Sequence, residues 1–222
     1  MAESVRRTTE GFRRLIAFSD AVVAIALTLL ILPLTDVAGE IRDKTSMSAV
    51  FEEYAGAVVS FLISFIVIWV LWKHHHRVME HLRSYDEMLF RLHFVWLLTI
   101  VVLPFATAMI DSNDLVKYGN VFYIGVLAVS ISTLLIMERW VLGHPDLLAE
   151  DAAAEYRQWM SGRNGYGTVA MLILALVIAV LIPAAGNWPL FVLLLSGPVE
   201  RLLSKLMPYR GDADEVTAEQ PD

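Results

Sequence analysis

Several titratable side chains in this 222-residue chain fall inside or next to long apolar runs. Asp20 lies within the run 15–34, His93 lies near the start of the run 92–110, and His74 and His75 follow the run 54–72 after one lysine. Removing such a group from water is costly, so its presence in an apolar segment requires a reason. For Asp20 two interpretations remain open. It is either a node in a structural hydrogen-bond network or a group that coordinates ions or protons.

The direction in which Asp20 points follows from the helical step of about 100° per residue. Ile25, Leu29 and Leu32 share one apolar stripe, with Thr28 at its edge. Ser19 and Asp20 lie on the other side of the same helix, so we expect them to face the interior of a bundle. The stripe itself is equally typical of a lipid-facing surface, a packed interface and a hydrophobic gate.

The histidines at 74–76 and 81 do not predict a metal site, because consecutive residues on a helix point about 100° apart and cannot converge on one ion. The chain has no cysteine, which excludes disulfides, thiol catalysis and cysteine-ligated metals. The apolar runs contain no paired carboxylates and no nucleophile motif, so neither an enzyme nor a bound cofactor is predicted. No basic patch interleaved with aromatics indicates a nucleic-acid partner.

The elements that position these residues are predicted to be membrane-spanning helices. Hydrophobic residues make up 57% of the chain and charged residues 18%, and the mean hydropathy is +0.58. Soluble domains are closer to half apolar and a quarter charged. Since about 20 apolar residues cross a bilayer core, six spans are expected, with five as the alternative because Gly197 and Pro198 interrupt the last. The six segments are 15–34, 54–72, 92–110, 116–137, 168–185 and 188–206.

The charges predict the orientation of this all-α membrane protein. Fourteen of the 17 lysines and arginines fall on one side of the six spans, which predicts that this side and both termini are cytoplasmic. Residues 1–210 are expected to form one six-helix domain. Residues 211–222 are acidic and lack aromatics, which is typical of a disordered tail.

Three motifs occur in order along the first half of the chain. They are an RxxxFSD string at 14–20, a tryptophan followed by paired histidines at 69–75, and a proline–phenylalanine–threonine ending at 104–107. Together they resemble the transmembrane protein 175 family of endolysosomal potassium channels and their prokaryotic relatives. That family usually has an asparagine where this chain has His93. The resemblance implies a structural motif network of Arg14, Phe18, Ser19, Asp20, Trp69, His74, His75 and His93.

The resemblance also implies a homotetramer with a central pore lined by the first helix of each chain. Ile25, Thr28, Leu29 and Leu32 would then form the constriction of a potassium-permeable channel that passes other monovalent cations as well. The string 165–169 holds the letters of a TVGYG filter in the wrong order, so no carbonyl filter is expected. A proton-linked secondary transporter that uses Asp20 and His93 is the alternative.

Overall fold

The computed structural model describes residues 9–35, 47–110 and 116–149, together with six single helical residues, Ala152, Tyr156, Leu174, Ile178, Val199 and Leu202. Long helices dominate these residues. They are α1 (Thr9–Leu29), α2 (Met47–Glu80), α3 (Glu87–Ile110) and α4 (Val116–Gly143), followed by a 3-10 turn, Pro145–Leu147.

Each of the four helices coincides over most of its length with a segment long and apolar enough to cross a membrane: Glu10–Thr35, Tyr54–Glu80, Glu87–Ile110 and Tyr118–Gly143. This confirms the first four predicted spans, and the chain is a multi-pass membrane protein. Apart from four single helical residues, the predicted spans 168–185 and 188–206 lie outside the described residues, as do the tail 211–222 and the string 165–169. The count of six helices therefore stays a prediction.

Pro33 explains where α1 ends. A proline has no N–H to donate to the carbonyl four residues earlier, and its ring clashes with that carbonyl, which here belongs to Leu29. The chain instead makes a tighter turn, in which the Ile31 amide donates to the Thr28 carbonyl at 3.3 Å, and is helical again over residues 32–35. The first span therefore contains a break between Leu29 and Leu32 that hydropathy alone did not predict.

The link between α2 and α3 is tied to the end of α4. Asp86 caps α3, because its Oδ1 accepts the Leu89 amide at 2.8 Å, and its Oδ2 accepts the Trp140 indole N–H from α4 at 2.9 Å. Beyond α4, the Arg83 amide donates to the Leu147 carbonyl at 2.9 Å. We call this end of the bundle, where α1 and α3 begin and α2 and α4 end, the basic end, after Arg13, Arg14, Lys73, Arg77 and Arg139.

Helices α3 and α4 form the most buried pair in the described part of the bundle. Trp96, Ile100 and Leu103 of α3 are fully buried, as is Met137 of α4. At the opposite end from the basic end the two backbones meet closely at Gly119, where a Cβ atom would lie 2.6 Å from the Met109 carbonyl oxygen. The hydrophobic effect does not drive helices together in lipid, so their association depends on van der Waals packing. A glycine allows the two backbones to come close enough for such packing.

Candidate functional site

The apolar stripe of α1 is exposed in the single chain. Ile25 is 59% exposed and Leu32 53%, and Thr28 and Leu29 are exposed as well. The opposite face of the helix is buried through Phe12, Val23, Ala26 and Leu30. The predicted separation of the two faces is therefore confirmed.

The Thr28 hydroxyl has a defined direction on this stripe. It donates to the Ile25 carbonyl within the same helix at 2.8 Å. A hydroxyl has only one hydrogen and two acceptor lone pairs. Thr28 therefore offers acceptor lone pairs, and not a hydrogen, to anything that approaches the stripe.

On the buried face, Ser19 joins a chain of hydrogen bonds that runs from α1 through α3 to α2. Its Oγ lies 2.7 Å from the Leu15 carbonyl and 2.5 Å from Nε2 of His93. Nδ1 of His93 lies 3.0 Å from Nε2 of His75, whose ring stacks on Trp96 with centroids 3.9 Å apart. Ser19, His75, His93 and Trp96 are all buried, so this chain of bonds is shielded from solvent in the bundle.

The chemistry of the groups fixes the direction of these bonds. Ser19 donates its single hydrogen to Leu15, so His93 must donate to Ser19 through Nε2. In the neutral form of His93, Nδ1 then accepts from Nε2–H of His75. A cationic His93 would carry a hydrogen on both nitrogens, so His75 would have to adopt the other tautomer to remain bonded.

Asp20 is held by α2 through a residue that the motif reading missed. The Trp72 indole N–H donates to Oδ1 of Asp20 at 2.8 Å, and both side chains are half-buried. Trp69, which was assigned to the network, is instead exposed, and its ring lies tilted against that of Trp72 with centroids 4.9 Å apart. The reason is angular, because three residues along a helix turn the side chain by about 300° and bring Trp72 to the face that meets α1.

The two adjacent histidines of α2 separate to different helices. His75 joins His93, whereas Nε2 of His74 forms a hydrogen bond with Oε1 of Glu138 on α4. Glu138 is 2% exposed. Glu138 was not among the predicted site residues, because the predicted fourth span ended one residue earlier, at Met137. Its position as a carboxylate at the edge of a span could have indicated a buried partner.

Arg14 and Phe18 lie on the exposed side of α1 and not in the buried network. Phe18 and Ile25 are seven residues apart within α1, so they share a face. Within the described part of the chain, the Asp20 carboxylate takes its hydrogen bond from Trp72 and not from Arg14. The RxxxFSD string is therefore divided, with Ser19 and Asp20 pointing inward and Phe18 outward.

The remaining histidines in and directly after α2 do not gather into a ligand set. Nε2 of His76 lies 3.3 Å from Glu80 one turn later, and Nδ1 of His81 lies 2.6 Å from the Arg77 carbonyl. Over the described ranges, no group of three or more histidine, cysteine or acidic side chains has the arrangement of a metal site.

Residues 14–104 match one family model, which is described as the endosomal/lysosomal potassium channel TMEM175. A protein named as a potassium channel from Streptomyces collinus is 39% identical over 101 residues, which cover 44% of this chain and 46% of that protein. Another from Chamaesiphon minutus is 31% identical over 110 residues, 50% of this chain and 53% of that protein. The chain thus spans about half the length of these relatives.

Two further comparisons extend the likeness. The human protein named endosomal/lysosomal proton channel TMEM175 is 25% identical over 160 residues, which cover 71% of this chain and 31% of that protein. The crystal structure of a lysosomal potassium-selective channel TMEM175 homologue from Chamaesiphon minutus matches 89% of this chain and 96% of its own, with a TM-score of 0.56 and 19% identity. At that identity the structural match shows the shared fold alone.

Proposed function

We propose that the chain, whose residues 14–104 match the model of the TMEM175 family, is a potassium-permeable cation channel with a pore lined by α1. The observation that carries this proposal is the exposed stripe of α1. Ile25, Thr28, Leu29 and Leu32 lie uncovered on one face, while the opposite face is held by hydrogen bonds to α2 and α3. A helix fixed on one face and uncovered on the other is suited to line a shared axis.

The pore requires several copies, because one helix cannot surround an ion path. We infer a homotetramer in which four α1 helices meet around a central axis, with six spans in each chain. Ile25, Leu29 and Leu32 then form apolar rings, and the other exposed apolar faces contact the bilayer or neighbouring subunits. The acceptor oxygen of Thr28 suits a cation better than an anion, since its hydrogen is already donated to Ile25.

Apolar rings gate by excluding water. A cation that enters a narrow apolar ring sheds its hydration and gains no replacement ligands, so the closed pore does not conduct. Opening must widen the rings until water and ion pass together. Preference for potassium over sodium then comes from pore radius and the Thr28 oxygens, and we expect it to be modest, with other monovalent cations passing as well.

The basic end is proposed to be cytoplasmic. Most lysines and arginines of the chain belong to the connections on this side, and cytoplasmic loops are enriched in these residues. Both termini are then cytoplasmic. The membrane is proposed to be the plasma membrane of a prokaryote, in keeping with the bacterial relatives.

Cation flux in proteoliposomes tests the channel, with outward potassium, sodium or caesium gradients. The wild type should pass potassium passively, without saturation, until the gradient collapses. Ile25→Asn should hydrate the constriction, raise the leak and reduce the ratio of potassium to sodium flux. Ile66→Asn is the matched control, since Ile66 on α2 is 48% exposed but lies outside the stripe. Equal flux ratios in the wild type and Ile25→Asn would refute the placement of the constriction.

A proton-linked transporter that uses Asp20 and His93 is the second candidate. The supporting observation is the chain of hydrogen bonds from Ser19 through His93 to His75, which can change tautomer when a proton is added. The same experiment separates the two functions when it is repeated at two pH values. Potassium flux that saturates and needs a proton gradient would favour the transporter and refute the passive channel.

A further inference from the structure

A single turn of α2 bonds to each of the other three described helices. Trp72 donates to Asp20 on α1, His74 pairs with Glu138 on α4, and His75 bonds to His93 on α3. At about 100° per residue, His74 and His75 lie roughly 200° and 300° around the helix from Trp72. The three bonds therefore leave α2 in three directions and fix its rotation about its own axis. We call the segment 72–75 the hub turn.

Glu138 is the partner in this arrangement that lies outside residues 14–104, which match the family model. A carboxylate that is 2% exposed at the edge of a span is costly unless it is paired. His74 supplies that pair from α2. The Glu138 carboxylate is therefore paired only when the hub turn places His74 beside it.

The backbone around Glu138 is itself held in place. The buried Tyr156 hydroxyl donates to the Glu138 carbonyl oxygen at 3.3 Å, and its ring meets His81 edge-on with centroids 5.3 Å apart. Burial raises the pKa of Tyr156 and the nearby charge of Glu138 raises it further, so the hydroxyl keeps its hydrogen. Glu138 is thus a fixed point against which α2 is oriented.

We propose that Glu138 is a positioning residue for the pore helix: through His74 it sets the rotation of the hub turn, whose other side chains hold α1. The inference rests on the proposed function for its effect on ions. Loss of the Glu138–His74 pair leaves the hub turn with its bonds through Trp72 and His75. Both of those contacts lead to the Ser19–Asp20 pair, so a rotation of the hub turn moves α1 directly and changes the radius of the constriction.

The test combines charge removal with a reciprocal exchange. The ratio of potassium to sodium permeability is measured in proteoliposomes for Glu138→Gln, His74→Gln and the double exchange His74→Glu/Glu138→His. We expect each single variant to change the ratio by about 2- to 30-fold, the range for mutations that alter coupling without touching a ligand. The exchange should restore it towards the wild type. A ratio that the exchange does not restore would overturn the proposal, even where a single variant fails to fold.

Glu87→Gln is the matched control, because Glu87 is an exposed carboxylate at the same end of the bundle that pairs with Arg91 at 3.1 Å. It should leave the permeability ratio unchanged. An equal change in Glu87→Gln and Glu138→Gln would mean that loss of any negative charge at this end suffices, and would overturn the role of Glu138.

A second readout does not depend on conduction. Since the chain has no cysteine, a single Ala21→Cys on the exposed side of α1 reports the position of this helix through its rate of reaction with a water-soluble thiol reagent. Glu138→Gln should change that rate by at least about twofold, the lower end of the same range. An unchanged rate would overturn the inference. A changed rate in a protein without cation flux would support the positioning role and refute the channel instead.

Discussion

The close contact at Gly119 allows the packing of α3 against α4 to be tested with a single methyl group. A Cβ atom at this position would lie 2.6 Å from the Met109 carbonyl oxygen, 2.8 Å from its carbonyl carbon and 2.9 Å from the Ile110 amide nitrogen. Ordinary contact begins near 3.4 Å. All three atoms belong to the backbone, so no side-chain rotation relieves the overlap, and the two helices must separate in Gly119→Ala.

The expected cost follows from two opposing effects. Overpacking of this kind costs about 1–3 kcal/mol. Replacing glycine by alanine inside a helix returns up to about 1 kcal/mol. The net loss in the free energy of unfolding for Gly119→Ala is therefore about 1 kcal/mol.

Gly125→Ala is the control in the same helix. No atom lies within 4 Å of the Cβ position at Gly125, so only the gain in helix propensity applies, and stability should rise by up to about 1 kcal/mol. The measurement is reversible unfolding of the purified protein in mixed micelles, followed by far-UV circular dichroism. Equal changes in the unfolding free energy of the two variants would refute the close contact between α3 and α4.

Three further predictions concern the buried face of α1. Trp72→Phe should lower the unfolding free energy by about 1.5–3 kcal/mol, because Asp20 loses a donor to its carboxylate; unfolding in mixed micelles measures this, and an unchanged stability would contradict the bond. His93→Gln keeps a polar group near the position of Nε2, where it can still bond to Ser19, whereas His93→Asn keeps one only near Nδ1. Adding Ser19→Ala should therefore lower the unfolding free energy by about 0.5–1.5 kcal/mol less in the His93→Asn background than in the His93→Gln background. Equal losses in this double-mutant cycle would contradict the proposed bond between Nε2 and Ser19. Asp20→Ala should reduce tetramer abundance on size-exclusion chromatography more than it alters ion selectivity, since Asp20 faces α2 and not the stripe; a stable tetramer with altered selectivity would place Asp20 in the pore.

The faces of α1 could be predicted from the sequence because they depend on local geometry alone. A step of about 100° per residue separates Ile25 and Leu32 from Ser19 and Asp20 wherever the helix packs. The same step also shows that Phe18 shares a face with Ile25 and therefore points away from Ser19 and Asp20. Phe18 was assigned to the buried network because it belongs to the RxxxFSD motif, although the helical geometry already indicated the exposed face.

The partners of the polar residues could not be predicted in the same way. Whether Trp69 or Trp72 meets Asp20 depends on the rotation of α2 within the bundle, which no local pattern of α2 determines. Glu138 was missed because its charge was taken as the end of the fourth predicted span, whereas a paired charge can lie within the helix. The turn at Leu30 could have been predicted from Pro33, because the steric conflict of a proline with the carbonyl four residues earlier is local.

The distance between the polar bonds and the stripe suggests how residues outside the pore can control it. Ser19 and Asp20 hold α1 near the basic end, while Leu29, the last residue of α1, lies nine residues beyond Asp20, or about 13.5 Å along a helix that rises 1.5 Å per residue. A tilt of about 5° about this anchor therefore displaces Leu29 sideways by roughly 1.2 Å. In the proposed tetrameric pore, such a displacement of each α1 helix changes the radius of the apolar ring and hence its hydration and its conduction. Ion passage can then depend on Asp20, His93 and Glu138 although none of them touches the ion.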